Sequence, residues 1–197
     1  MTAALVVAGC GGGDDGPVAT TTTAVTTTTV TPTTTTTGDS RRPALAQSCT
    51  HDERGVRIVV RYPQGWHVND PRAAQPCSAF DPEPVNIRPA TEFPADLAVI
   101  VRVEPVVFDR AVTPGGVRVE EESSSTIDGR RARRQTVVST GEGLYPAGRR
   151  SLRYVIDGGP DRTIIATTSD VQGNDFAESS SVLDAMVTAL EIEPRRS

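Results

Sequence analysis

Few residues in this chain are equipped for chemistry. Cys10, Cys49 and Cys77 are its only thiols, and His51 and His67 its only imidazoles. His51, Asp52, His67 and Asp70 together offer the nitrogen and oxygen donors that a zinc ion takes, but their spacing matches no zinc-ligand pattern. Solvated surface histidines are therefore expected. Ser123-Ser124-Ser125 and Ser179-Ser180-Ser181 supply hydroxyls without the Gly-x-Ser-x-Gly elbow that presents a nucleophile, so nucleophilic catalysis has no support. Gly11-Gly12-Gly13 follows no strand, and neither a dinucleotide fingerprint nor a Walker loop is found. Two charged features remain. Glu120-Glu121-Glu122 stands against Arg130-Arg131 and Arg133-Arg134, where adjacent strands would set opposite charges across from one another as a solvated face. The loop Gly141 to Gly148, followed by Arg149-Arg150, is the expected binding edge, because loops held on a rigid scaffold often carry binding groups. Tyr145, Arg149 and Arg150 are its candidate contact residues.

Composition limits what can position these groups. The chain has 197 residues and a net charge of −5, and every basic residue is Arg. A negative chain without a concentrated basic face argues against a nucleic-acid partner. All the aromatic residues lie between Tyr62 and Phe176, so only the part after about Cys49 has material for a core, and one domain is expected. From Thr20 to Thr37 nearly every residue is Thr. Such a tract cannot bury apolar area to offset its ordering entropy, and disorder is expected across residues 11–48, either as an O-glycosylated stalk or as a bare spacer. As a coil that segment spans on the order of 35 Å. No run approaches the roughly 18 apolar residues of a membrane-spanning helix.

Within the domain, Val56 to Tyr62 is rich in β-branched residues and ends at Pro63, the pattern of a strand. Asp70 with Pro71 predicts a short helix that stops at Pro76. Leu97 to Val103 is a continuous apolar run, expected as a strand buried on both faces. Val117 to Glu122 reads as a polar strand, and Ile127-Asp128-Gly129-Arg130 as a tight turn into a strand that reaches Ser139. Asp157-Gly158-Gly159-Pro160-Asp161 predicts a hairpin. Asp175 caps the clearest helix, on which Leu183, Met186, Val187 and Leu190 form a core stripe. The tail is expected from Pro194 to Ser197.

Leu5-Val6-Val7-Ala8-Gly9-Cys10 resembles the lipobox of bacterial lipoproteins of the actinobacterial type. The resemblance implies that residues 1–10 are the end of a signal peptide, that Cys10 carries a lipid, and that the rest is exported and tethered to the cell membrane. No Arg or Lys precedes Cys10, and the apolar stretch is shorter than an ordinary signal core, so the true start is expected upstream. Tyr62-Pro63-Gln64-Gly65-Trp66, the Asp128-Gly129 turn, the Tyr154 to Ala166 hairpin and the last helix, taken in order, resemble the PsbP/Mog1-like family over residues 49–193. That resemblance implies an α+β fold, an antiparallel sheet with flanking helices in an α/β/α sandwich, and carries over no catalytic residue. With Cys10 lipidated, Cys49 and Cys77 leave an even count in an oxidising compartment, which favours a disulfide between them. The functional expectation is a non-enzymatic envelope module that binds a protein or glycan partner, without cofactor or metal. The alternatives are an envelope hydrolase or metal-dependent enzyme, and a passive spacer.

Overall fold

The computed structural model describes residues 43–72, 75–85, 87, 96–142 and 145–194. Cys10, the residues 1–10 expected to be a signal segment, and the Thr tract lie outside the described residues. Within them the chain forms ten strands and two helices: β1 (Leu45–Glu53), β2 (Val56–Pro63), β3 (His67–Val68), β4 (Ala79–Asp81), β5 (Val99–Glu104), α1 (Phe108–Val112), β6 (Val117–Ile127), β7 (Arg130–Ser139), β8 (Arg150–Gly159), β9 (Arg162–Ser169), α2 (Phe176–Thr188) and β10 (Glu191–Pro194).

Every strand pair is antiparallel. Seven strands make one sheet in the order β3-β4-β5-β9-β8-β7-β6, and three make a smaller one in the order β1-β2-β10. Turn chemistry sets much of this register. Asp128 and Gly129 both have positive φ, +46° and +74°, as do Arg54 and Gly55 between β1 and β2. Two left-handed residues in a row give the two-residue hairpin whose twist matches the strands it joins. The Asp128 carboxylate also accepts from the Ile192 amide at 2.7 Å, tying the β6–β7 turn to β10.

The two faces of the large sheet differ. On one, Tyr154, Ile156, Ile164 and Ala166 pack with Val182, Leu183, Met186 and Val187 of α2 and with Val56, Ile58 and Val60 of β2, all buried in one cluster. Leu183, Met186 and Val187 are core, as their helical spacing predicts, whereas Leu190 is buried but follows the end of the helix at Thr188; the Asp175 carboxylate accepts from the Ala177 and Glu178 amides at the helix start. On the other face, Val155 and Ile165 meet Phe108 and Ala111 of the five-residue α1. The result is an antiparallel sheet with a helix on each face, an α/β/α sandwich. No helix among the described residues is long and apolar enough to cross a membrane.

Five expectations are corrected. β1 begins at Leu45, ahead of the expected boundary at Cys49, and β10 occupies what was expected to be the approach to the tail. Among the described residues between Asp70 and Pro76 no helix forms. Instead the Asp70 carboxylate takes the Arg72 amide at 2.7 Å and its guanidinium at 3.0 Å, which closes a turn. β5 is buried on one face only: Val99, Val101 and Val103 face the core, whereas Ile100, Arg102 and Glu104 are half-buried on the other. His51 is not a surface residue but fully buried.

Candidate binding groove on the second face of the sheet

Because α1 is short, it covers only part of its face. Beyond its C-terminal end the sheet carries a row of directly paired residues across five strands: Ile100, Thr167, Arg153, Gln135 and Glu122. Strand alternation puts all five on the same side as Val155 and Ile165. A groove with a cavity of about 130 Å3 opens there, lined by Arg102, Arg149 and Arg153, by Ile100, Val117 and Val137, and by Tyr145 and four hydroxyl residues.

Arg153 is the centre of this groove. Its guanidinium donates to the Ala111 carbonyl, and Gln135 Nε2 donates to the Val112 carbonyl at 3.0 Å. Both acceptors are last-turn carbonyls of α1, which have no intrahelical partner and favour a cation or donor. Burial, reinforced by the charge of Arg102, pushes the Arg153 pKa down to about 10, against a smaller opposing pull from Glu122. Its Nε is buried without a hydrogen-bond partner among the described residues. Arg102 Nε lies 2.7 Å from Glu104 Oε1. Glu122, the acid nearest Arg153 in the row, is held by the Gln135 amide.

The rim is built by Ser139. Its Oγ donates to the Tyr145 carbonyl at 3.0 Å and accepts from the Gly141 amide at 3.2 Å, while its amide donates to the Arg149 carbonyl at 2.9 Å. These bonds fix Tyr145, which is 41% exposed, and place the Arg149 guanidinium 4.3 Å from the centre of its ring. On the floor, the Ser151 and Ser169 hydroxyls share one hydrogen bond of 2.8 Å, and Thr167 donates to the Leu152 carbonyl at 3.2 Å.

The three candidate contact residues thus divide. Tyr145 and Arg149 form the rim of the groove, whereas Arg150 lies outside it, with its Nε 3.6 Å from Glu120. The charged face expected between Glu120–Glu122 and the Arg cluster is mostly dispersed. Arg133 meets Glu122 at 3.9 Å, but Arg131 goes to Asp157 at 2.8 Å and Arg134 to Asp184 at 3.0 Å. The opposed registers of a single strand pair do not decide where long guanidiniums end. Arg102 and Arg153 were not singled out by the sequence. Each looks like an outward residue of an alternating strand, and the one available signal was a lone Arg inside the apolar run Leu97 to Val103.

Around His51 the chemistry is structural. Its Nδ1 lies 2.7 Å from the Pro76 carbonyl and its Nε2 3.1 Å from Glu53 Oε2. Beside it Cys49 and Cys77 form a disulfide with Cα atoms 5.8 Å apart. Asn69 completes the clamp, accepting from the Ser78 and Ala79 amides at 3.0 and 3.1 Å and donating to the Gln75 carbonyl at 2.6 Å. His67 is exposed on β3. Among the described residues no group of three His, Cys, Asp or Glu side chains converges as metal ligands would.

No family model matches the chain, and a search of curated proteins returns no match. Among solved structures it is similar to the solution structure of cyanobacterial PsbP (CyanoP) from Synechocystis sp. PCC 6803, with 14% sequence identity and a TM-score of 0.42, over 76% of this chain and 94% of that one.

Proposed function

We propose that this chain is an exported, lipid-anchored binding module of the cell envelope, held to the membrane through Cys10 and presenting the second face of its sheet to a protein or glycan partner. The observation that carries the reading is the groove itself: an open, partly apolar site whose rim residues Tyr145 and Arg149 are fixed by Ser139. The Cys49–Cys77 disulfide supports an oxidising, exported location, since such bonds persist there and are rare in the cytosol. A binding role is favoured over catalysis by the groove's ionisable groups. Arginines keep their protons across the working pH range and serve as fixed charges, where an acid or base catalyst must gain and lose one.

Two measurements test the reading. The gene is expressed with its upstream sequence and labelled fatty acid is followed into the product; Cys10→Ser is expected to abolish the label, and a label that persists removes the anchor. The full chain is then used to capture envelope components, alongside Tyr145→Ala and Arg149→Ala variants. A partner retained by the parent and lost by both variants supports the groove. Equal retention by all three assigns binding elsewhere and overturns it.

A further inference from the structure

Resting on the reading that this face is the binding surface, we infer that the groove is an oxyanion site which takes a phosphate group, with the atom chain bearing it laid against Ile100, Val117 and Val137.

Charge is the first ground. Three guanidiniums line a cavity of about 130 Å3, room for one phosphate and a short attachment. Arg102 has one acid beside it, Glu104, and Glu122, the acid in the row of Arg153, is already taken by Gln135 and Arg133. Among the described residues Arg153 thus has no ion-pair partner of its own, in a recess where burial weakens solvent screening. Arg102 stands close enough to raise the cost of ionising Arg153, and a dianion between the two guanidiniums relieves that repulsion.

Donors are the second ground. Arg153 Nε is buried without a partner, so part of its fork remains to be filled. The guanidinium edge is shaped for two oxygens of one phosphate or carboxylate. In the Ser151–Ser169 pair only one hydroxyl hydrogen is used between the two oxygens, which leaves the other free to turn toward a ligand. A tetrahedral dianion, with more acceptor positions than a carboxylate, uses more of these donors. The apolar strip of Ile100, Val117 and Val137 lies in the same groove, and the stacked Arg149–Tyr145 pair forms its edge.

Two other clefts fit an oxyanion poorly. At the cleft of Val107, Phe108, Arg131 and Asp157, the single guanidinium is already bound to Asp157 and lies 4.5 Å from the centre of the Phe108 ring. The cleft at Asp81, Glu83 and Asp96 is acidic, and Asp81 is spent on the Ala98 and Glu83 amides.

The test is a titration of the isotopically labelled full chain followed by amide NMR shifts, with inorganic phosphate, glycerol phosphate, acetate, and chloride at matched ionic strength. Saturable shifts centred on Ile100–Arg102, Ser151–Arg153 and Thr167–Ser169 are expected with either phosphate and not with chloride. Tighter binding of glycerol phosphate assigns the ligand to a phosphate ester such as an envelope headgroup or glycan; tighter binding of inorganic phosphate overturns the attached chain laid on the apolar strip. Arg153→Gln and Arg102→Gln should each weaken binding about tenfold or more. Arg102→Gln keeps the test sound if loss of the Ala111 contact unsettles α1 in the other variant. Linear shifts equal to those of chloride, acetate binding as tight as phosphate, or full binding by Arg102→Gln overturns the inference. If the envelope partner is still lost in Tyr145→Ala while phosphate fails to bind, the groove remains the binding surface and only its ligand class falls.

Discussion

Replacing Cys49 and Cys77 together by alanine removes the bridge without leaving a lone thiol. The sequence separation of 28 corresponds to a loop-closure contribution of about 3.5 kcal/mol at 25 °C in the chain-entropy picture. For a domain of this size that is a fall in Tm of about 10 °C. The structure specifies which state bears the change. The loop around Cys77 is independently fastened by the His51 contact to Pro76 at 2.7 Å and by the three Asn69 bonds, so the folded arrangement outlasts the bridge. The φ of +57° at Cys77 strains alanine and cysteine alike, and adds no new cost. The loss therefore belongs to the unfolded chain, which regains the freedom of an open loop. Urea denaturation of parent, double variant and reduced parent should show the variant and the reduced parent matching within experimental error. Refolding should slow more than unfolding accelerates. A loss below about 1 kcal/mol refutes the loop-closure account, and a change confined to the unfolding rate with altered amide shifts at Gln75–Ala79 refutes the clamp as the reason the loop holds.

Two further predictions concern the fold's fastenings. Tyr154 is 7% exposed and donates to Asp184 Oδ1 at 2.7 Å. Burial, followed by the bond to that carboxylate, pushes its phenol above the ordinary value. The folded chain keeps this proton where the unfolded chain loses its own, above about pH 10, so stability is unaffected below that pH and falls as pH rises past it. Alkaline unfolding of Tyr154→Phe should show a shallower decline than the parent, and equal slopes would refute the assignment. Gly129 has φ +74° and nothing within 4 Å of an added Cβ, so Gly129→Ala meets only backbone strain and should cost about 1 kcal/mol with an unchanged m-value, while Gly129→Asn costs less.

Legibility in the sequence followed how local each feature is. Asp128-Gly129, the Asp157–Asp161 turn and the Asp175 cap are written in residues that are near neighbours, and each appears where its turn or cap chemistry puts it. β1 carries no alternation because it lies on the edge of the small sheet, mostly exposed, and its one local sign was Arg54-Gly55. β10 is four residues of mostly polar sequence that become a strand only because β2 offers a free edge. His51 reads as a solvated imidazole until the chain brings Pro76 and Glu53 to its two nitrogens, and Pro76 is distant in sequence. The groove divides the same way. Its rim, Tyr145 and Arg149, lies in a Gly-bounded loop that invites attention, whereas Arg102 and Arg153 converge only through the order β5-β9-β8, which no local pattern encodes.

That groove exists because α1 stops early, and the stop is local. Thr113 precedes Pro114, which disfavours the helical region for the residue before it, and Thr113 sits at φ −116° and ψ 72°. Gly115-Gly116 then turns the chain into β6, with the Gly116 carbonyl taking the Thr140 amide at 3.0 Å. Had α1 run another turn, it would have continued over the Arg153 row and covered more of this face. Instead its last carbonyls are finished by Arg153 and Gln135, side chains of the sheet beneath. One guanidinium thus ends the helix and floors the site. Cover on the remaining face is supplied by α2, β2 and the bridge at Cys77, none of which lines the groove. In the proposed reading, binding falls to the part of the sheet that α1 leaves open, next to the small core of Phe108, Ala111, Val155 and Ile165, and Arg153 joins the two.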